Sequence, residues 1–184
     1  MEKVKVSMDT LVLGNLARVD TQKNPERFIE ISEYILKNSE IPIKFIFGGD
    51  GPLLENMKSL VQSKKLQGKV EFIGNVDDIN AFFNRIDGYL STSHYEGLPY
   101  SVVEAASFGI PLFLSDVIGH NEMIHGNGIL FDLQASNEEI GEAIIKNMQR
   151  ETLVKEQGEE SFKIFERLFE EKKMVEKLID LYNG

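Results

Sequence analysis

Ile43-Lys44-Phe45-Ile46-Phe47-Gly48-Gly49-Asp50-Gly51-Pro52 is the stretch that decides the fold. The apolar run from Ile43 to Phe47 predicts a buried strand, and the glycine-rich segment closed by Pro52 stops it. A helix follows through Leu54, Met57, Val61 and Lys65. Val70 to Ile73 then predicts another strand, stopped by Gly74-Asn75. Strand, helix and strand in this short span form a βαβ unit, so the two strands lie parallel in one sheet.

The same alternation extends in both directions. Upstream, Leu11-Val12-Leu13 reads as a strand ending at Gly14. Asn24-Pro25 then opens a helix, with Asn24 as N-cap and Pro25 at the first helical position. Phe28, Ile31, Ile35 and Leu36 follow at helical spacing. Downstream, Asp77 to Ile86 predicts a short helix and Gly88-Tyr89-Leu90 a fourth strand. Tyr100 to Phe108 predicts a helix closed by Gly109, and Pro111 to Leu114 a fifth strand. Asn121 to Ile124 fits one helical turn, and Gly128 to Phe131 a sixth strand. Ser136 with Glu139 has the form of a capping box for a helix carrying Ile140, Ala143, Ile144 and Met148. Six strands alternating with helices predict an α/β fold with a doubly wound, Rossmann-like parallel sheet over residues 1–151. Residues 152–184 predict a helical extension of the same domain. Phe162, Phe165, Leu168 and Phe169 form one apolar stripe there; Met174, Leu178 and Tyr182, flanked by Val175 and Ile179, form another.

Composition narrows the function. The 184 residues are 42% hydrophobic, a globular balance. No apolar run approaches the ~18 residues that cross a bilayer. Met1 to Lys5 lacks the apolar core of a signal peptide, which predicts a cytoplasmic location. The net charge of -10 argues against nucleic acid as a partner. Without cysteine there is no disulfide, thiol nucleophile or thiolate zinc site. His120 and His125 lie about 140° apart on a helix and would not converge on one ion. The expectation is no metal and no cofactor.

On such sheets ligands bind at the carboxyl ends of the strands. There the most specific segment is Ser93-His94-Tyr95-Glu96-Gly97-Leu98-Pro99-Tyr100-Ser101-Val102-Val103-Glu104-Ala105-Ala106. The helix starting near Tyr100 offers unpaired first-turn N–H groups to an anion. Glu96 precedes it and Glu104 lies about one turn inside. Two carboxylates beside an anion site suit a ligand with phosphate in its middle and polyols on both sides, as in a nucleoside-diphosphate sugar. After the first strand, Arg18 can fork onto phosphate oxygens and Lys23 can add a point charge. The other reading of these four is solvated surface charge.

Glu96 to Glu104 resembles the E-x7-E motif of retaining GT-B glycosyltransferases in the large family 4 group. The likeness extends to Gly14-x-Leu16-x-Arg18 with Lys23-Asn24-Pro25, to Gly49-Asp50-Gly51-Pro52 and to Val70-Glu71-Phe72-Ile73-Gly74. It continues through Glu104-Ala105-x-x-x-Gly109-x-Pro111, Ser115-Asp116-Val117, Gly119 with Glu122, and Asn127-Gly128, covering about residues 11–150. The resemblance implies one half of a GT-B fold, whose N-terminal, acceptor-binding half is absent from this chain. It implies catalytic roles for Glu96, Arg18 and Lys23, the two cations binding the donor diphosphate and Glu96 facing the transferred sugar. It implies that Glu104 holds the ribose, and that Gly97, Leu98, Tyr100, Ser101 and Val102 meet sugar and phosphates. Gly74, Asn75 and Val76 would lie by the base, with Gly14 and Gly49 completing the donor site. The implied substrate is a UDP- or GDP-linked hexose, and the implied acceptor a glycan or lipid-linked sugar of a bacterial surface polysaccharide. For the full-length enzyme the resemblance implies peripheral association with the inner face of the cytoplasmic membrane. Ile118 departs from the pattern, standing where a second glycine is common in the loop near the sugar.

Two other readings of the sequence remain open. One is a non-catalytic nucleotide-sugar-binding or interaction module. The other is an inverting, epimerase-like relative with His94 as base; a loop position without an orienting partner favours a plain loop residue.

Overall fold

A computed structural model describes residues 10–169. Its elements in chain order are β1 (Leu11–Leu16), α1 (Pro25–Asn38), β2 (Ile43–Gly48), α2 (Leu54–Ser63), β3 (Val70–Gly74), α3 (Ile79–Asn84) and β4 (Gly88–Ser91). These are followed by α4 (Tyr100–Ser107), β5 (Leu112–Ser115), a 3-10 turn (Asn121–Met123), β6 (Gly128–Phe131), α5 (Asn137–Met148) and α6 (Glu151–Phe169). The strands form a six-stranded sheet in the order β3-β2-β1-β4-β5-β6. All five pairings are parallel. The order reverses between β1 and β4, which is the switch point where such sheets open a crevice.

Strand side chains alternate between two cores, as a period of two requires. Phe45, Phe47, Leu90 and Phe113 enter a core built with α1, α2 and α5. Ile46, Tyr89, Leu112 and Leu114 enter a second core with residues of α3 and α4. Phe28 of α1 anchors the first, meeting Phe45, Phe47 and Phe72 edge-on at 5.3 to 6.5 Å between centroids. Full burial of each such side chain stabilises the fold by about 1.5–3 kcal/mol.

Local chemistry moves two predicted boundaries and removes one predicted cap bond. β1 does not end at Gly14 but runs on to Leu16. Gly14 is there for packing: a Cβ at this position would lie 2.6 Å from Cγ2 of Ile86. Asn24 precedes α1 in a left-handed conformation (φ 51°) and its side chain makes no capping bond. Asn tolerates that conformation better than most residues. α3 begins at Ile79 rather than Asp77, because the Asp78 carboxylate accepts the N–H of Ala81 at 2.8 Å and so fixes the start. The Ser136–Glu139 capping box forms as predicted.

The buried face of α6 differs from the predicted stripe. Gln157, Gly158, Ser161 and Ile164 are its buried positions, with Phe165 half-buried against the second core. Phe162 is half-buried too. Gly158 seats the helix: a Cβ there would lie 2.4 Å from the Gly109 carbonyl oxygen. α6 therefore packs by its backbone on the turn that closes α4. The side chains of Leu168 and Phe169, and the second stripe of Met174, Val175, Leu178, Ile179 and Tyr182, lie outside the described residues. Among the described residues no helix is long and apolar enough to cross a membrane.

Candidate donor-binding site

A cleft of about 410 Å³ lies over the carboxyl ends of β1, β2, β3 and β4. Of the predicted residues, Arg18, Lys23, Gly49, Asn75, Val76, Glu96, Leu98, Tyr100, Ser101 and Glu104 line it. Four predicted residues do not. Gly14 is inside β1 beneath Ile86. Gly74 has an open backbone position at the end of β3, where its carbonyl accepts the N–H of Gly49. Gly97 is exposed behind Glu96, packed against Gly119. Val102 is buried, and its N–H is taken by the Pro99 carbonyl at 2.9 Å. A larger surface hollow of about 720 Å³ follows α5, but its lining, Ser136 to Lys146, comes from that helix and its cap alone.

Two loops build the charged part of the cleft. One joins β1 to α1; the other joins β4 to α4. The Thr92 hydroxyl donates to the Asn24 carbonyl at 2.9 Å, and the His94 N–H donates to the Gln22 carbonyl at 2.8 Å. The Gln22 amide donates in turn to the Tyr95 carbonyl at 3.0 Å. His94 thus serves through its backbone, and its exposed ring has no partner among the described residues. On the other side, Gly49 (φ 130°) brings the β2–α2 turn against the first loop. A Cβ there would lie 1.9 Å from the Ala17 carbonyl oxygen, so only glycine fits.

Across this seam Lys23 Nζ meets both oxygens of Glu96, at 2.7 and 2.9 Å. The side chains are 19% and 7% exposed, so the pair is largely desolvated. Behind Glu96 stands His120, fully buried, with Nε2 3.9 Å from Oε1 of Glu96. Burial holds the His120 imidazole below the ordinary histidine range; the Ser115 carbonyl and Glu96 oppose that shift and Lys23 adds to it. His125 turns elsewhere, its Nε2 bonding the Glu122 carbonyl at 3.0 Å. Gly119 (φ 89°) lets the loop after β5 close on Glu96: a Cβ there would lie 2.4 Å from the Gly97 carbonyl oxygen.

Arg18 projects into solvent, its side chain 71% exposed, with a 3.7 Å contact to Asp20 as its one ion pair among the described residues. It is free to close on a ligand. Glu104 is half-buried on α4 and has no hydrogen-bond or ion-pair partner among the described residues. Burial raises its pKa. A carboxylate left without a partner there can accept hydrogen bonds from ligand hydroxyl groups. The Ser101 N–H, in the first turn of α4, also has no acceptor among the described residues. The arrangement therefore offers cations and an N–H to an anion, and two carboxylates to hydroxyls.

Beneath the cleft lies Tyr89, which its sequence context marks only as a strand residue. Its hydroxyl donates toward Ser101 Oγ at 2.8 Å and lies 3.2 Å from the Leu16 carbonyl. It ties the end of β1 to the start of α4. Burial raises the phenol well above its ordinary value, so it stays neutral. The one signal in the sequence is a side chain with a polar tip in a short apolar strand.

A family model described as glycosyl transferases group 1 matches residues 1–164. The chain belongs to that family. A group 1 relative from Escherichia coli, UDP-Gal:alpha-D-GlcNAc-diphosphoundecaprenol alpha-1,3-galactosyltransferase, is 31% identical over 129 residues, 68% of this chain and 33% of that protein. The fold matches TarM of S. aureus, solved with UDP, at a TM-score of 0.87 and 20% identity, over 100% of this chain and 38% of TarM. It also matches the separately crystallised C-terminal domain of LpcC, a group 1 protein from Francisella tularensis, at a TM-score of 0.76 and 18% identity, over 88% of this chain and 87% of that one. The chain thus spans about a third of the galactosyltransferase and well under half of TarM, and nearly the whole of a C-terminal domain.

Proposed function

We propose that this chain is the donor-binding half of a retaining glycosyltransferase that transfers a hexose from a UDP-linked donor to a glycan or lipid-linked acceptor in bacterial cell-surface polysaccharide synthesis. The observation that carries this reading is the division of charge in one cleft. Arg18 and Lys23 enter from the β1–α1 loop, and Glu96 and Glu104 enter from the β4–α4 segment. The diphosphate lies between Arg18, Lys23 and the Ser101 N–H, which stabilise charge on the departing nucleotide. Glu104 takes the ribose hydroxyls and Glu96 the sugar. UDP is favoured over GDP because TarM was solved with UDP and the galactosyltransferase is named for a UDP donor. Assignment to family 4 and retention of configuration rest on the E-x7-E likeness. No bound metal enters the reading, the cations and helix N-terminus serving the phosphates.

The acceptor half belongs across the cleft. Leu98 and Tyr100 line the cleft as exposed apolar residues, and Tyr95 and Ile118 are exposed on the loops after β4 and β5, a concentration that suits a protein surface or an acceptor facing them. The whole enzyme is placed on the cytoplasmic side, with peripheral membrane association for a lipid-linked acceptor.

The test is calorimetric titration with UDP, GDP and ADP, on the chain and on Arg18→Ala. UDP is expected to bind best. Arg18→Ala is expected to lose about 1.5–3 kcal/mol for UDP but almost nothing for uridine. Equal losses for UDP and uridine, or no saturable UDP binding, would overturn the assignment.

A further inference from the structure

The donor-binding reading leaves one buried ionisable group beside the site unused. His120 follows β5 and is fully buried. Its Nδ1 lies 3.1 Å from the Ser115 carbonyl oxygen and 3.2 Å from Ser115 Oγ. A carbonyl oxygen only accepts, so Nδ1 carries a hydrogen. The Ser115 hydroxyl is committed as donor to the Ser93 carbonyl at 2.7 Å and can only accept from the ring. The tautomer is therefore fixed. In the neutral ring Nε2 carries a lone pair, and this buried atom has no hydrogen-bond partner among the described residues. What it faces is Glu96 Oε1, at 3.9 Å. Two acceptors confront each other, and a neutral ring gives Glu96 nothing.

Two charged groups bear on the ring: Glu96 from the β4–α4 loop and Lys23 from the β1–α1 loop. Without a ligand the Lys23 ammonium neutralises Glu96 through both oxygens. A diphosphate in the cleft competes for that ammonium, since Lys23 lines the same wall as Arg18. As Lys23 turns to phosphate, Glu96 is left with a desolvated negative charge and, among the described residues, one neighbour able to compensate it. We propose that His120 is a positioning residue which takes up a proton from solvent at Nε2 when a nucleoside diphosphate draws Lys23 from Glu96, so that Glu96 stays an anion aimed at the sugar. The proton passes to Nε2, the imidazolium pairs with Oε1, and the proton returns to solvent when the nucleotide leaves. Donor binding is thereby linked to proton uptake. The inference rests on the reading that Lys23 contacts the donor phosphates.

Two measurements decide it separately. The first titrates UDP into the chain and into His120→Gln near pH 7.5, in buffers of different ionisation enthalpy. Per UDP bound, wild type is expected to take up at least about half a proton more than His120→Gln does. Equal proton uptake by the two chains overturns the proposal. Should His120→Gln not fold, the buffer dependence of wild type alone decides, zero uptake being the refuting result. The second needs no nucleotide. The His120 ring is titrated by NMR in wild type and in Lys23→Met. Loss of the ammonium is expected to raise its pKa by about one pH unit or more, Glu96 then being the one charged group acting on it among the described residues. An unchanged pKa overturns the proposal whether or not UDP binds. Failure of UDP to bind overturns the donor-binding reading instead and leaves the NMR comparison decisive.

Discussion

Lys23→Met is the most informative single substitution for the architecture of the site. The methionine keeps the aliphatic stem of the lysine and removes only the ammonium. The lost group makes contacts of 2.7 and 2.9 Å to a carboxylate whose side chain is 7% exposed. Removing one partner of a fully buried pair costs about 3–5 kcal/mol. A solvent-exposed pair is worth about 0–1 kcal/mol. Lys23 is 19% exposed, so the expected cost lies between, at about 2–3 kcal/mol. Glu96→Gln should cost less, about 1 kcal/mol, because the freed ammonium can swing on its flexible stem into the cleft water. The asymmetry is the prediction. Urea unfolding of wild type, both single variants and the double variant gives all terms, with a coupling energy of about 1–2 kcal/mol expected from the cycle. Thermal midpoints should move by about 2–4 °C per kcal/mol. The reasoning would be refuted by Glu96→Gln destabilising more than Lys23→Met, or by a coupling energy below about 0.5 kcal/mol.

Three further outcomes follow from other contacts. Stability should decline as the pH drops below about 6.5, because burial lowers the folded-state pKa of His120 and the unfolded chain takes up its proton first. This contribution is fully present above the unfolded value; melts from about pH 7.5 to 5.5 should show a slope that His120→Gln removes, and an equal slope in His120→Gln refutes the origin. Tyr89→Phe should cost about 1–2 kcal/mol in urea unfolding and weaken UDP binding several-fold, since its hydroxyl joins Leu16 to Ser101; unaltered UDP affinity would show that this link does not shape the cleft. Glu104→Gln should raise the thermal midpoint by about 1–2 °C, as a partly buried carboxylate without a partner is neutralised. The same substitution should remove the preference for UDP over its 2′,3′-dideoxy analogue, and calorimetry showing the preference intact would remove the ribose role.

The fold was legible because each strand is a short apolar run stopped by glycine, proline or a polar turn, and each helix repeats its apolar face. Where strands ended was less legible. Gly14 reads as a stop, yet it is a strand interior whose missing Cβ admits Ile86. The site was legible as a set of strand-end residues, and Arg18, Lys23, Glu96 and Glu104 do meet in one cleft. Their partnerships were not. Lys23 and Glu96 are 73 residues apart, and only the sheet order brings their loops together. Tyr89 and His120 escaped for the same reason: each acts through a contact across the fold, Tyr89 with Leu16 and His120 with Glu96. In the tail the phenylalanines carry the sequence signal, whereas Gly158 and Ser161 set the buried face, small residues that permit close backbone approach and carry no hydrophobic signal.

The sheet order has a consequence for how such a chain can be recombined. Both cations reach the cleft from the segment after β1, and both carboxylates come from the segment after β4. Between them in sequence lies an exposed turn around Lys65 and Gly68, both with left-handed backbones and far from any catalytic atom in the chain order. A crossover there exchanges the segment that carries Glu96, Glu104 and the Ser101 N–H while Arg18 and Lys23 come from the other parent. On the donor-binding reading, shuffled libraries cut at this turn would vary the surroundings of both carboxylates against an unchanged pair of cations.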